Sequence, residues 1–169
     1  MPAPNVRNTL RIESPLGPIT LAASGQGLCG LWFDEQRHGP SPEQVRNWPH
    51  SPNDALLQKA AEQVMTYLAG QRKHFDLPLD LSHGTAFQQA VWQALLSVPC
   101  GQSQSYGQLA GQLHKPSAMR AVGSAVGRNP VSIIVPCHRV LGADGSLTGY
   151  AGGLERKTAL LQLEGAAAP

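Results

Sequence analysis

The sequence predicts an α/β fold in two parts: antiparallel strands with a helix, then a mostly helical part carrying a helix-turn-helix. Three observations predict it. Residues 9–13 alternate apolar with polar, and short apolar runs at 19–23 and 28–33 follow, separated by Gly/Pro turns; this is the pattern of a strand meander. Farther along, apolar residues recur at three- and four-residue spacing, the period that lines one helix face. Two of these helical stretches flank the short connection His114-Lys115-Pro116-Ser117, a spacing that suits a helix-turn-helix.

In the first part, Pro15-Leu16-Gly17-Pro18 and Gly25-Gln26-Gly27 supply the turns. Cys29 reads as a small buried hydrophobe. Residues 34–50 are polar and hold Pro40, Pro42 and Pro49, so a loop is predicted. Ser51-Pro52-Asn53-Asp54 carries a helix start: a capping serine, a proline at the first position and an acid in the first turn. Leu57, Ala61, Val64 and Leu68 follow at helical spacing, and Gly70 closes the helix. Phe75, Leu77, Leu79 and Leu81 alternate, and Pro78 puts that strand near an edge. His38, His50, His74 and His83 read as solvated or structural. Ser82-His83-Gly84 marks the boundary, giving domains 1–82 and 83–169.

In the second part, Thr85-Ala86-Phe87-Gln88 is a capping box. Phe87, Val91 and Leu95 make the core stripe of a helix ending before Pro99. Cys100, in a Pro-Cys-Gly turn with no charged neighbour in sequence, reads as inert. Helices are predicted over 106–113 and 118–128, the second capped by Ser117 and facing inward through Met119, Val122 and Val126. That second helix is thin: Ala118, Ala121, Gly123, Ser124, Ala125 and Gly127 are small, and each interior glycine costs about 1 kcal/mol against alanine. A thin helix admits close approach of another surface, and Arg120 on it favours DNA. Asn129-Pro130 ends the helix and leads into a predicted strand at 131–135. Pro136 ends that strand, having no N–H and a fixed φ, and presents Cys137 where the backbone turns. Residues 149–153 form a glycine-rich loop suited to a flat ligand, 154–164 the last helix, and 166–169 a tail expected to be disordered.

The 169 residues suffice for a sizeable core, and no stretch approaches the 18 apolar residues of a membrane span. Residues 1–10 lack the apolar core of a signal peptide. Three cysteines without zinc spacing point to a reducing compartment, the cytoplasm, and to no metal site. Net charge is +2, but its distribution is uneven: seven Lys/Arg stand against eight Asp/Glu up to residue 84, and six against three beyond. Between Asp80 and Asp144 there is no acid, while Lys115, Arg120, Arg128 and Arg139 fall inside. A basic, acid-free stretch suits a surface that faces phosphates.

Cys137 stands beside His138 and Arg139, and positive neighbours favour the nucleophilic thiolate. An activated cysteine serves acyl or alkyl transfer. Acyl transfer needs a base, oxyanion donors and water to release the product. Alkyl transfer needs a thiolate in line with a carbon and a proton for the leaving oxygen. It leaves a thioether that water does not cleave. The residues alone leave open a cysteine hydrolase and an alkyl-group acceptor. Glu164, a carboxylate at a helix C-terminus, sits at the unfavourable end of the dipole at a cost of about 0.3–1 kcal/mol, which a cationic partner would offset.

Pro136-Cys137-His138-Arg139, with Asn129-Pro130 before it and Gly149-Tyr150-Ala151-Gly152-Gly153 after it, resembles the O6-alkylguanine-DNA alkyltransferases. The likeness is close over residues 85–165 and looser before them. It implies an RNase H-like α/β N-terminal domain and a helical C-terminal domain for DNA binding and chemistry. It also implies irreversible, single-turnover transfer of a methyl or alkyl group from O6-alkylguanine, and from O4-alkylthymine, in duplex DNA to Cys137, with nucleotide flipping. By the same resemblance His138 is the base acting through a water, Glu164 holds His138 and favours imidazolium, and Asn129 ties the thin helix to the cysteine strand. Tyr106 gives a proton to the guanine oxygen or steadies the rotated nucleotide's phosphate. Arg120 takes the place of the extruded nucleotide in the minor groove, with Tyr106, Ser117, Ala121 and Arg128 also along the DNA. Tyr150, Ala151, Ser132 and the backbone of Val140 and Gly152 line the base pocket. Ala151 stands where some relatives have serine, so a hydroxyl contact to the lesion is expected to be absent; Ser132 stands where some have a proline that narrows the pocket. Groups larger than methyl are therefore expected to fit. No cofactor and no metal are expected; the partner is double-stranded DNA carrying the lesion, met by a monomer, with cooperativity on DNA left open.

Overall fold

The computed structural model describes residues 4–165; the predicted tail at 166–169 lies outside them. Strands β1 (Asn8–Ile12), β2 (Ile19–Ala23) and β3 (Leu28–Phe33) form an antiparallel sheet in that order. Every residue of β2 and β3 is buried because both faces are covered, which removes the need for alternation. Ile19, Leu21, Leu31 and Phe33 join the main core. Ala22, Cys29 and Trp32 pack on the other face under Val6 and Trp48, with the two indoles stacked at 5.6 Å.

The predicted loop at 34–50 contains a short helix, α1 (Pro42–Asn47). Ser41 and Gln44 form its capping box, and Pro42 occupies the first turn, where a missing N–H costs nothing. The next helix, α2 (Ala55–Leu68), is capped by Asp54 rather than Ser51: the Asp54 carboxylate accepts from Leu57 N at 3.0 Å. The Ser51 hydroxyl instead donates to Asn8 Oδ1 at 2.9 Å. The predicted strand at 75–81 reduces to one bridge, Leu79 with Leu28 on the edge of β3. Its neighbour Pro78 has no N–H with which to extend a ladder.

The C-terminal domain is helical. Thr85 and Gln88 make the predicted capping box of α3 (Ala86–Leu96), and Trp92 Nε1 donates to Ala125 O at 2.8 Å, locking α3 to α5. A two-residue strand, β4 (Gln104–Ser105), leads into α4 (Tyr106–Gln112), and α5 (Met119–Gly127) completes the helix pair. Ser117 does not cap α5, whose N-cap is Ala118 without a side-chain bond. Val122, Ala125 and Val126 are buried, whereas Met119 faces outward. Strand β5 (Val140–Leu141) pairs in parallel with β4, and α6 (Leu154–Leu163) closes the fold. The two domains meet on β3: Leu31 N donates to Pro130 O at 2.9 Å and Ser132 N to Leu31 O at 3.2 Å. The sheet's free edge is thus covered by the C-terminal domain. Among the described residues no helix is long and apolar enough to cross a membrane.

Candidate active site

Asn129, buried just past α5, shapes the segment that carries Cys137. Its Nδ2 donates to Val135 O at 2.7 Å and its Oδ1 accepts from Val131 N at 2.9 Å. Those bonds engage backbone groups at both ends of the run from within its own segment, and β3 meets it only at Val131. Of the predicted strand at 131–135 only Val131 pairs, in a single bridge to Leu31, and 132–135 turn. Ile134 N donates to Ser132 O at 2.8 Å, closing a γ-turn around Ile133 at φ 72°. This positive-φ form is rare, and for a β-branched residue the strain is of order 1–3 kcal/mol. Cys137 N donates to Val135 O at 2.8 Å, closing an inverse γ-turn around Pro136 at φ −83° and ψ 64°, a conformation proline's ring favours. Cys137–Arg139 then form a single 3-10 turn. Cys137 thus opens a helical turn; it does not end a strand.

That turn carries His138 and Arg139 onto Glu164, the C-cap residue of α6. His138 Nε2 lies 2.8 Å from Glu164 Oε2, and Arg139 donates through Nε and Nη2 to the two carboxylate oxygens at 2.9 and 2.8 Å. Arg139 Nη1 also donates to Val98 O at 2.6 Å. The Tyr67 hydroxyl, from α2, donates to the same Oε2. Burial alone would raise the Glu164 carboxyl, but the bonds from His138, Arg139 and Tyr67 outweigh it and hold it well below the usual carboxylate range. For His138 burial wins: despite Glu164, and helped by the charges of Arg139 and Lys157, it titrates below its ordinary value. Arg139 therefore balances Glu164, and His138 is a neutral imidazole, correcting the expected imidazolium. With Nε2–H given to the carboxylate, Nδ1 holds the lone pair; it is buried and has no hydrogen-bond partner among the described residues.

The flanking charges do not activate Cys137 as expected. His138 is neutral and Arg139 is committed to Glu164. Burial pushes the thiol up to about 11, against a downward pull from Asn129 and Lys157. A resting thiol needs a base before it can attack. Lys157 is fully buried, its Nζ donating to Val140 O at 2.7 Å and Thr148 O at 2.8 Å. Burial lowers it to about 8, with Cys137 opposing. The sequence reading missed Lys157. The available signal was its register, since 157, 160, 161 and 164 fall on one helix face, an odd place for an unpaired lysine.

Cys137 lies in the wall of a cavity of about 250 Å³. Tyr106 and the small residues of α5 from Gly123 to Gly127 form one side, and Tyr150 with Ala151 another. A Cβ on Gly123 would lie 3.8 Å from the Tyr106 ring. Two N-terminal residues, Arg37 and His38, also line it; His38 was read as solvated or structural. Ser132, Val140 and Gly152, expected in the pocket, are buried but outside the lining. The Val140 and Gly152 carbonyls already accept from Lys157 and from Arg156 Nη1 at 2.7 and 3.0 Å. Gly152 is required for another reason: a Cβ there would lie 2.7 Å from the Tyr150 ring. The Tyr106 hydroxyl accepts from Thr148 Oγ1 at 3.3 Å. Ser117, Arg120 and Ala121 are exposed and Arg128 half-buried. Cys100 is not remote from charge: burial and Glu164 raise its thiol, with Arg139 and Lys73 opposing.

A cysteine beside a neutral imidazole, in a cavity walled by the second helix of a helix-turn-helix, defines a group-transfer protein with a nucleic-acid-binding motif. Comparison with known proteins specifies it. The family model described as 6-O-methylguanine DNA methyltransferase, ribonuclease-like domain, matches residues 9–81, and that described as its DNA binding domain matches 86–166. The methylated-DNA–protein-cysteine methyltransferase of Mycobacterium bovis is 51% identical over 158 residues, covering 94% of this chain and 92% of the relative. That of Methanosarcina acetivorans is 46% identical over 153 residues, covering 90% and 95%. The crystal structure of Mycobacterium tuberculosis OGT in complex with DNA superimposes with a TM-score of 0.85 at 49% identity, covering 96% of this chain and 95% of that one. The class is a methyltransferase with a DNA-binding domain. The chain belongs to the 6-O-methylguanine DNA methyltransferase family.

Proposed function

We propose that the protein repairs alkylated duplex DNA directly. It moves a methyl or larger alkyl group from O6 of guanine, and from O4 of thymine, onto Cys137 in one turnover, with the damaged nucleotide rotated into the cavity. The observation that carries this reading is the position of Cys137: its cavity is shared with α5 and Tyr106, and the adjoining His138 keeps Nδ1 free. The thiol proton passes through a water to Nδ1, and the imidazolium so formed is stabilised by Glu164. The Sγ–carbon bond forms as the carbon–oxygen bond breaks, and the electron pair goes to the purine oxygen. Tyr106 gives that oxygen or the ring its proton and regains one from His138, so the thiol's proton is in net the one guanine gains. The thioether is stable to water, so the protein is spent.

Helix α5 enters the minor groove, and Arg120 fills the gap left by the extruded nucleotide. Ser117, Ala121 and Arg128 flank it along the strand. The N-terminal domain ends at residue 82 and the DNA-binding domain begins at 83, and one copy of the chain acts on one lesion. Room for groups larger than methyl rests on Gly127 and Gly149, where an added Cβ would meet nothing within 4 Å. It does not rest on Ser132.

A duplex with one O6-methylguanine labelled in its methyl group tests the reading. One label per protein on Cys137, none released to water and a parallel result with O4-methylthymine are expected; repeated turnover points to a hydrolase and refutes it. A fluorescent base beside the lesion should brighten on binding if the nucleotide leaves the stack. Transfer from O6-benzylguanine checks the size argument, and refusal limits the substrate to small groups.

A further inference from the structure

Opposite the helix-turn-helix, the cavity of Cys137 is closed by a loop of the N-terminal domain, between β3 and α1. The loop has a fixed shape. Glu35 and His38 both adopt left-handed backbone, at φ 58° and 60°, a conformation non-glycine residues hold only when their surroundings dictate it. The Gln36 side chain accepts from Phe33 N at 2.9 Å. Arg37 N donates to Ala151 O at 2.9 Å, pinning the loop to the C-terminal domain beside Tyr150. Arg37 and His38 line the cavity and remain exposed, so they stand at its rim. Arg128 lies next to this rim, since it and His38 line one adjoining groove with Trp48 and Pro130; burial lowers His38 below its ordinary value, and Arg128 and Arg37 add to that effect.

These cations have no protein anion. Among the described residues neither Arg37 nor Arg128 makes an ion pair, and the adjacent Asp34 is held by Arg11 at 2.6 Å. The Arg37 guanidinium and the His38 imidazole at the cavity mouth, with the Arg128 guanidinium in the adjoining groove that His38 also lines, form an anion site. Any base held in that cavity stays tied through its sugar to a backbone that must cross this mouth. We propose that Arg37 and His38, with Arg128, bind the phosphate adjoining the nucleotide held in the cavity, so that the N-terminal domain grips the damaged strand directly. This rests on the proposed function.

The test uses the full chain carrying Cys137→Ser, so that no transfer occurs while binding is measured. Affinity for a duplex with one O6-methylguanine is followed between about 50 and 200 mM salt, where each lost phosphate contact lowers the log–log slope by about 0.9. Adding Arg37→Gln should reduce the slope by about that amount, and Arg37→Lys should restore it. The unmodified duplex, which leaves the cavity empty, should show a smaller change. An unaltered slope with Arg37→Gln, or an equal change on both duplexes, overturns the assignment. Failure of the unsubstituted protein to take methyl from the lesion would instead overturn the proposed function, independently of Arg37.

Discussion

Cys29 and Cys137 are both buried thiols, and burial pushes both up, to about 12 and about 11. Cys29 lies within β3 against Ala22 and Trp32, and Asp80 opposes its ionisation. Cys137 opens a 3-10 turn on a cavity wall, drawn toward ionisation by Asn129 and Lys157. Burial dominates both, and the opposing pulls differ only modestly. That is too little to make one cysteine a nucleophile and leave the other inert. Access and an adjacent neutral base supply the rest, and Cys29 has neither.

Substitutions can break or sharpen that contrast. Cys137→Ser should abolish transfer of labelled methyl. Next, His138→Gln should slow single-turnover transfer about 10²- to 10⁴-fold, the usual contribution of a positioned base, with binding of lesion duplex retained. Asn129→Ala leaves the buried Val131 N–H without its partner, while Val135 C=O keeps the bond from Cys137 N. At about 1–3 kcal/mol for a buried unsatisfied group, denaturant unfolding should show a loss of about 1–3 kcal/mol. A smaller effect concerns acidity. His138 accepts a proton only when neutral and titrates below its ordinary 6.5, so the rate should be flat above that pH and fall below it. Tyr67→Phe removes a donor from Glu164, leaving the carboxylate better able to stabilise imidazolium. The acid limb should then move to higher pH, by less than about one unit. Smallest of all, Cys29→Ala should leave the transfer rate unchanged.

The same two cysteines show what the sequence could convey. Cys29 was legible because its strand and turns are local. The contact of His138 with Glu164 was legible from the resemblance that Pro-Cys-His-Arg carries. The backbone before Cys137 was not, since four apolar residues in a run of five look alike in a strand and in γ-turns, and the Asn129 side chain helps decide between them. The charge state was not legible either: Arg139 sits two residues from Cys137 in sequence, yet its charge is taken by Glu164, 25 residues away. Helix α1 was hidden by its prolines, which mark a helix entrance as readily as a loop. Lys157 needed the helix register of α6 rather than its identity.

The hydroxyl that Tyr67 lends to Glu164 crosses from one domain to the other. The amino-terminal half thereby backs the cluster of His138, Arg139 and Glu164, and the acidity of the His138 imidazole is coupled through Glu164 to a residue of α2. A change in how the halves seat against each other would be felt first as a displaced pH optimum, before any loss of grip on DNA.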